Sequence, residues 1–229
     1  MSPEFINIIN QEMAKDYMAD LRAFIQEERK TKYVLPAPEL LFNAFALCPY
    51  DKLKVVIIGE APLLEPHYDG LAFSSMGTLK SAPEENKEII YDVYMDAFKG
   101  WQKSQGMPKE KIFSTCQLTA WARQGVLLIN SAYTCPSRDK FAHKDKGWEI
   151  FNEVLISFLN DYKLPLVFVM KCNYDYGKLI NKKKHLILDA KEEKWSTKAN
   201  EFIKKRPVSV REQHHQLRIN WTTNPNLIG

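Results

Sequence analysis

The chain has 229 residues, 45% hydrophobic and 26% charged, which suits one globular domain with a full core and excludes a disordered or fibrous protein. Its net charge of +4 permits a nucleic-acid partner without demanding one, and four cysteines without CxxC spacing point to free thiols in a reducing cytosol rather than to a zinc site or a disulfide framework. No apolar run approaches the roughly 18 residues of a membrane span and MSPEFINIIN lacks the features of a signal peptide, so the expectation is a cytoplasmic monomer with no membrane contact, metal or cofactor.

In chain order, apolar residues at Phe5, Ile8, Ile9, Met13, Tyr17, Leu21, Phe24 and Ile25 step by three and four. That spacing predicts an amphipathic helix over 4–29, within an N-terminal helical extension over 1–32. YVLPAPELLFNAF (33–45) has two prolines that break the chain before a short helix. LKVVIIG (53–59) is a continuous apolar run with β-branched pairs, which predicts a parallel strand covered on both faces. A helix is expected over 84–99, a second strand in GVLLINSAYT (125–134), a helix from Trp148 to Leu159, further strands in LPLVFVM (164–170) and HLILD (185–189), and a last helix over 196–205. Strands alternating with helices predict a single α/β domain over 1–229 with a parallel sheet. Ligands of such sheets bind beyond the carboxyl ends of the strands, so the segments 59–70, 130–134, 171–174 and 189–195 are expected to share one crevice. KKKH (182–185) and KKR (204–206) read as solvated turns, with KKR and HQLR (215–218) as candidates for phosphate contacts.

Five segments, in order, resemble family 1 of the uracil-DNA glycosylase superfamily: FNAFALCPYDKLKVVIIG (42–59), GLAFS (70–74), LTAWARQGVLLINSAYT (118–134), HKDKGWEIF (143–151) and RINW (218–221). The resemblance implies a three-layer α/β/α sandwich with a short central parallel sheet. It also implies a partner, double-stranded DNA with one nucleotide flipped out, and cleavage of that nucleotide's N-glycosidic bond without a metal. Phe73 matches the family's stacking Phe, and Asn130 matches the Asn that reads the pyrimidine edge. An amide carries both a donor and an acceptor, so Asn130 is able to read uracil-like or cytosine-like edges.

The residues that carry the family's chemistry differ. Gly-Gln-Asp-Pro-Tyr-His is replaced by GEAPLL (59–64), which puts Ala61 at the catalytic Asp and Leu63 at the Tyr that excludes a 5-methyl group. His-Pro-Ser-Pro-Leu-Ser is replaced by KEEKWS (191–196), which puts Lys191 at the catalytic His and Trp195 at the Leu that wedges into DNA. Glu60, Glu65, His67 and Asp69 are the titratable groups left in the first loop, and Lys191 is a candidate cation for the leaving base or a nucleophile. Leu63, in a loop one residue shorter, opens or reshapes the space beside C5 of the base. Lys171, Asn173, Lys194 and Trp195 are the candidate DNA contacts, since the family's phosphate-gripping loops become APE (82–84) and KCN (171–173). GEAP also resembles the first motif of the iron–sulfur family 4 enzymes, but the cysteine spacing does not fit a cluster.

Three readings follow from these residues. The leading one is a DNA glycosylase for a bulky 5-modified pyrimidine of the kind found in phage genomes, hydroxymethylated or glucosylated, serving in antiphage defence. The second is a catalytically inactive DNA-binding adaptor or processivity-type protein. The third is an ordinary uracil-DNA glycosylase.

Overall fold

The computed structural model describes residues 1–65, 67–77, 84, 89–90, 93, 116–192, 194–206 and 218–221. Its centre is a four-stranded sheet of β2 (Val55–Gly59), β3 (Val126–Asn130), β5 (Val167–Met170) and β6 (Leu186–Asp189), in the order β3-β2-β5-β6 and parallel throughout. A separate antiparallel pair joins β1 (Val34–Leu35) to β4 (Cys135–Pro136). Val55 to Ile58 are fully buried although their side chains alternate between faces, so both faces of the sheet are covered. This is the three-layer α/β/α arrangement.

The cover comes from helices on either side. They are α1 (Pro3–Met13), α2 (Asp16–Thr31), α3 (Asn43–Leu47), α4 (Thr119–Arg123), α5 (Trp148–Asn160) and α6 (Trp195–Lys204). α3 and α4 contact β3, and α6 contacts β5 and β6. The segment RINW latches the far side. Trp121 Nε1 donates to the Trp221 carbonyl at 3.1 Å, and Asn200 exchanges two hydrogen bonds with the Ile219 backbone.

The single helix expected over 4–29 is two helices, broken at Ala14–Lys15, where Lys15 is extended. Met13, Tyr17 and Leu21 keep a step of four across the break, so periodicity alone does not reveal it. This N-terminal segment is part of the core: Phe5 packs edge-on against Phe45 and Tyr50, both at 5.2 Å between ring centroids. The helix expected over 84–99 lies outside the described residues except at Glu84, Ile89, Ile90 and Val93, which are helical. The later strands and helices lie where the apolar pattern places them, with bounds shifted by at most four residues.

Candidate functional site

In a parallel sheet all carboxyl ends face one way, and the register pairs Gly59 at the end of β2 with Asn130 at the end of β3. Two side chains converge over Gly59. A Cβ on this residue would meet Asn130 Oδ1 at 2.5 Å and Phe73 Cζ at 2.9 Å. Gly59 is therefore required to let the Asn130 amide and the Phe73 ring approach each other. Phe73 itself adopts a left-handed backbone, φ 62°, which a bulky residue rarely takes unless its surroundings enforce it. They do so here: Ala72 N donates to the Leu128 carbonyl at 3.1 Å, and Ser74 N to the Leu71 carbonyl at 3.1 Å.

Asp69 holds the same loop. Its carboxylate accepts from Leu71 N at 3.2 Å and from the Ser74 hydroxyl at 2.7 Å, and its carbonyl accepts from Asn43 Nδ2 at 2.7 Å. Burial raises its carboxyl pKa and outweighs the lowering effect of those hydrogen bonds. Both carboxylate oxygens thus serve the loop that shapes Phe73. Glu60 is also engaged: Oε2 accepts from Asn173 N at 2.6 Å and Oε1 lies 4.0 Å from Lys144 Nζ, so it ties the end of β2 to the loop after β5.

Glu65 differs from both. Its Oε1 is buried with no hydrogen-bond partner among the described residues. Desolvation raises its pKa, partly offset by the neighbouring His67. His67 is exposed, and its carbonyl accepts from Met76 N at 3.0 Å.

A polar network under the strand ends sets the position of Asn130. Asn152, on the buried side of α5, donates through Nδ2 to the carbonyls of Asn130 at 2.9 Å and Ser131 at 3.1 Å. It accepts from Tyr133 OH at 2.8 Å, and Tyr176 OH pairs with the Ser131 hydroxyl at 2.9 Å. The Asn130 side chain donates through Nδ2 to Tyr68 OH at 2.8 Å. Tyr68 is buried in a cluster with Leu35, Leu63 and Cys135.

Tyr68 thus packs against Leu63 from within the same loop. Sequence reasoning missed Tyr68. The available signal was a lone aromatic inside the polar run EPHYDG, in the stretch where the loop is shorter than the family's. Asn152 was legible too, as a polar residue on the apolar stripe of Trp148, Phe151 and Leu155.

The remaining expected residues separate. Trp195 does not wedge into DNA: it is fully buried as the first residue of α6, with its ring 5.4 Å from Trp221, so no face is available to a base. Arg206, in KKR, is buried and donates to the Leu53 carbonyl at 3.1 Å, so it is not a surface phosphate contact, while Lys204 and Lys205 are exposed. In KKKH, His185 is buried and accepts from Leu166 N at 2.9 Å rather than lying in a solvated turn. Lys191 and Lys194 are exposed beyond the end of β6, Asn173 is exposed and Lys171 half-buried beyond β5. Lys191 has none of the burial that would make a lysine nucleophilic. The adjacent Cys172 thiol is pushed up to about 12 by burial, which keeps it unreactive. Residues 82–83 and 215–217 lie outside the described residues.

Residues 45–218 match the family profile described as the uracil DNA glycosylase superfamily. A uracil-DNA glycosylase of Amoebophilus asiaticus is 34% identical over 191 residues, covering 82% of this chain and 81% of the relative. Uracil-DNA glycosylase 2 of Bacteroides fragilis is 33% identical over 220 residues, 93% of this chain and 94% of the relative. Among solved structures, the mimivirus uracil-DNA glycosylase aligns with a TM-score of 0.66 at 27% identity, covering 82% of this chain and 67% of that one.

Proposed function

The chain belongs to the uracil-DNA glycosylase superfamily, and on that premise we propose that it is a DNA glycosylase that takes a flipped pyrimidine into the pocket of Phe73 and Asn130 and releases it, leaving an abasic site. The observation that carries this reading is the convergence of the Phe73 ring and the Asn130 amide on a glycine at the joined ends of β2 and β3. A protein that only bound the outside of DNA would have no use for a strained Phe73 or for a buried network that positions Asn130.

In this reading the electron pair of the C1′–N1 bond leaves with the base, and the oxygen of a water molecule bonds to C1′. The water's proton goes to a carboxylate. Glu60 and Asp69 are engaged in holding loops, which leaves Glu65, with its unpartnered oxygen and raised pKa, as the base that takes that proton. Lys191, Lys194, Lys171 and Asn173 lie on the carboxyl-end side of the sheet, where phosphates of the bound duplex would run.

The base we propose is a 5-modified pyrimidine rather than plain uracil, because Leu63 stands where family 1 has the tyrosine that excludes 5-substituents. An enzyme of this specificity would act against phage genomes that carry such bases. The test is base release from DNAs carrying uracil, thymine, 5-hydroxymethyluracil, 5-hydroxymethylcytosine and glucosylated 5-hydroxymethylcytosine, with Asn130→Ala as control. Release of a modified base that Asn130→Ala abolishes supports the reading. Ala61 at the usual acid position favours a second reading, a DNA-bound adaptor, and tight DNA binding without release of any base would support that instead.

A further inference from the structure

We propose that Tyr68 is a second base-reading group beside Asn130, and that the pair selects a uracil-type edge, with a donor at N3 and a keto oxygen at C4, over a cytosine-type edge. This rests on the base-binding reading above. The amide of Asn130 is oriented by one side-chain contact among the described residues, the hydrogen bond from its Nδ2 to Tyr68 OH at 2.8 Å. That bond turns Oδ1 toward Gly59, within 2.5 Å of where a Cβ would sit. Tyr68 OH uses a lone pair to accept from Asn130, so its own proton remains, and no described residue accepts it. Tyr68 is buried, so water does not readily take that proton either.

The position of the hydroxyl is fixed rather than adaptable. The ring packs with Leu35, Leu63 and Cys135, and the backbone is held by a bridge to Ser75 and by Tyr68 N donating to the Glu65 carbonyl at 3.2 Å. Asn130 carries an acceptor in Oδ1 and a second Nδ2 hydrogen, and the Tyr68 O–H is a further donor 2.8 Å from Nδ2. A 4-keto pyrimidine matches all three, because its N3–H donates to Oδ1 and its O4 has two lone pairs for the two donors. A 4-amino pyrimidine sets its own donors against them. Turning the Asn130 amide over would accommodate such a base, but Tyr68 would then donate to Asn130 Oδ1 and no longer to the base. The uracil-type base keeps one hydrogen bond more, which corresponds to a preference of about tenfold.

Two duplexes test this, identical except for 5-hydroxymethyluracil or 5-hydroxymethylcytosine at one position. Their affinities and base-release rates would be measured with the unaltered protein and with Tyr68→Phe, which keeps the ring. The expected result is that the unaltered protein favours the uracil-type base and that Tyr68→Phe lowers this preference about tenfold by weakening the uracil-type duplex alone. A preference that survives Tyr68→Phe, or one for the cytosine-type base, overturns the inference. If Tyr68→Phe does not fold, the same question is put to the unaltered protein with the 4-thio analogue of the favoured base, which keeps N3–H and carries a poor acceptor at C4. About tenfold weaker binding supports a contact to O4, and equal binding refutes it. If neither duplex binds better than an unmodified one, the base-binding reading fails, and this inference with it.

Discussion

Replacing Gly59 by alanine adds one methyl group at the most crowded point of the proposed pocket. The new Cβ would stand 2.5 Å from Asn130 Oδ1, 2.9 Å from Phe73 Cζ and 3.0 Å from Phe73 Cε2. Neither neighbour yields easily. Asn130 is held by Tyr68 on its side chain and by Asn152 on its carbonyl, and Phe73 is fixed by a left-handed backbone. Overpacking of this kind costs about 1–3 kcal/mol. For a domain of this size, about 2 kcal/mol corresponds to a fall in Tm of roughly 4–8 °C. The methyl group also pushes amide and ring apart, so base recognition should suffer more than stability. Thermal melting followed by circular dichroism, together with affinity for DNA carrying the favoured base, would measure both. Gly59→Ala protein with unchanged Tm and unchanged base affinity would refute the claim that Phe73 and Asn130 meet over Gly59.

Three further outcomes are expected. Glu65→Gln should lower base release by about 100-fold or more while leaving DNA affinity in place, if Glu65 takes the proton of the attacking water; single-turnover release rates check this, and an unchanged rate excludes Glu65. Trp195→Phe should leave DNA affinity unchanged and lower Tm, because Trp195 packs on Trp221 inside the protein; a large loss of DNA affinity at unchanged Tm would restore the wedge role. His143 is buried between the Thr134 hydroxyl, 2.7 Å from Nδ1, and the Glu28 carboxylate, 3.7 Å from Nε2, with the Phe24 ring edge-on. Desolvation depresses its pKa below 6.5 despite the opposing pull of Glu28, so the unfolded chain takes up this proton at a higher pH than the folded one. The stability this gives is complete above pH 6.5 and is lost as the pH falls through the lower folded value. Urea titrations across that range should show the loss, and His143→Gln should flatten it.

The strands were legible because buried parallel strands are continuous apolar runs ended by special residues. Gly59 and Asn130 mark such ends in the sequence, and the register joins them. Phe73 and Asn130 were singled out through the resemblance of GLAFS and GVLLINSAYT to a known family, not through pattern. What pattern did not reach was partnership between distant residues. Asp69 and Glu60 read as candidate catalytic acids because their partners, Ser74 and Asn173, become neighbours only through loop geometry. Trp195 read as a surface wedge because burial by Trp221, 26 positions later in the numbering, leaves no local trace. Tyr68 went unassigned because its hydroxyl finds Asn130 across 62 residues of chain.

The most direct test of a working pocket at Phe73 and Asn130 is mass-spectrometric detection of free base after incubation with the panel of modified DNAs, with unaltered protein beside Asn130→Ala. We expect one 5-modified pyrimidine to be released by the unaltered protein, an abasic site in its place, and no release by the variant. DNA bound as tightly by both proteins, with no base set free by either, would contradict the account.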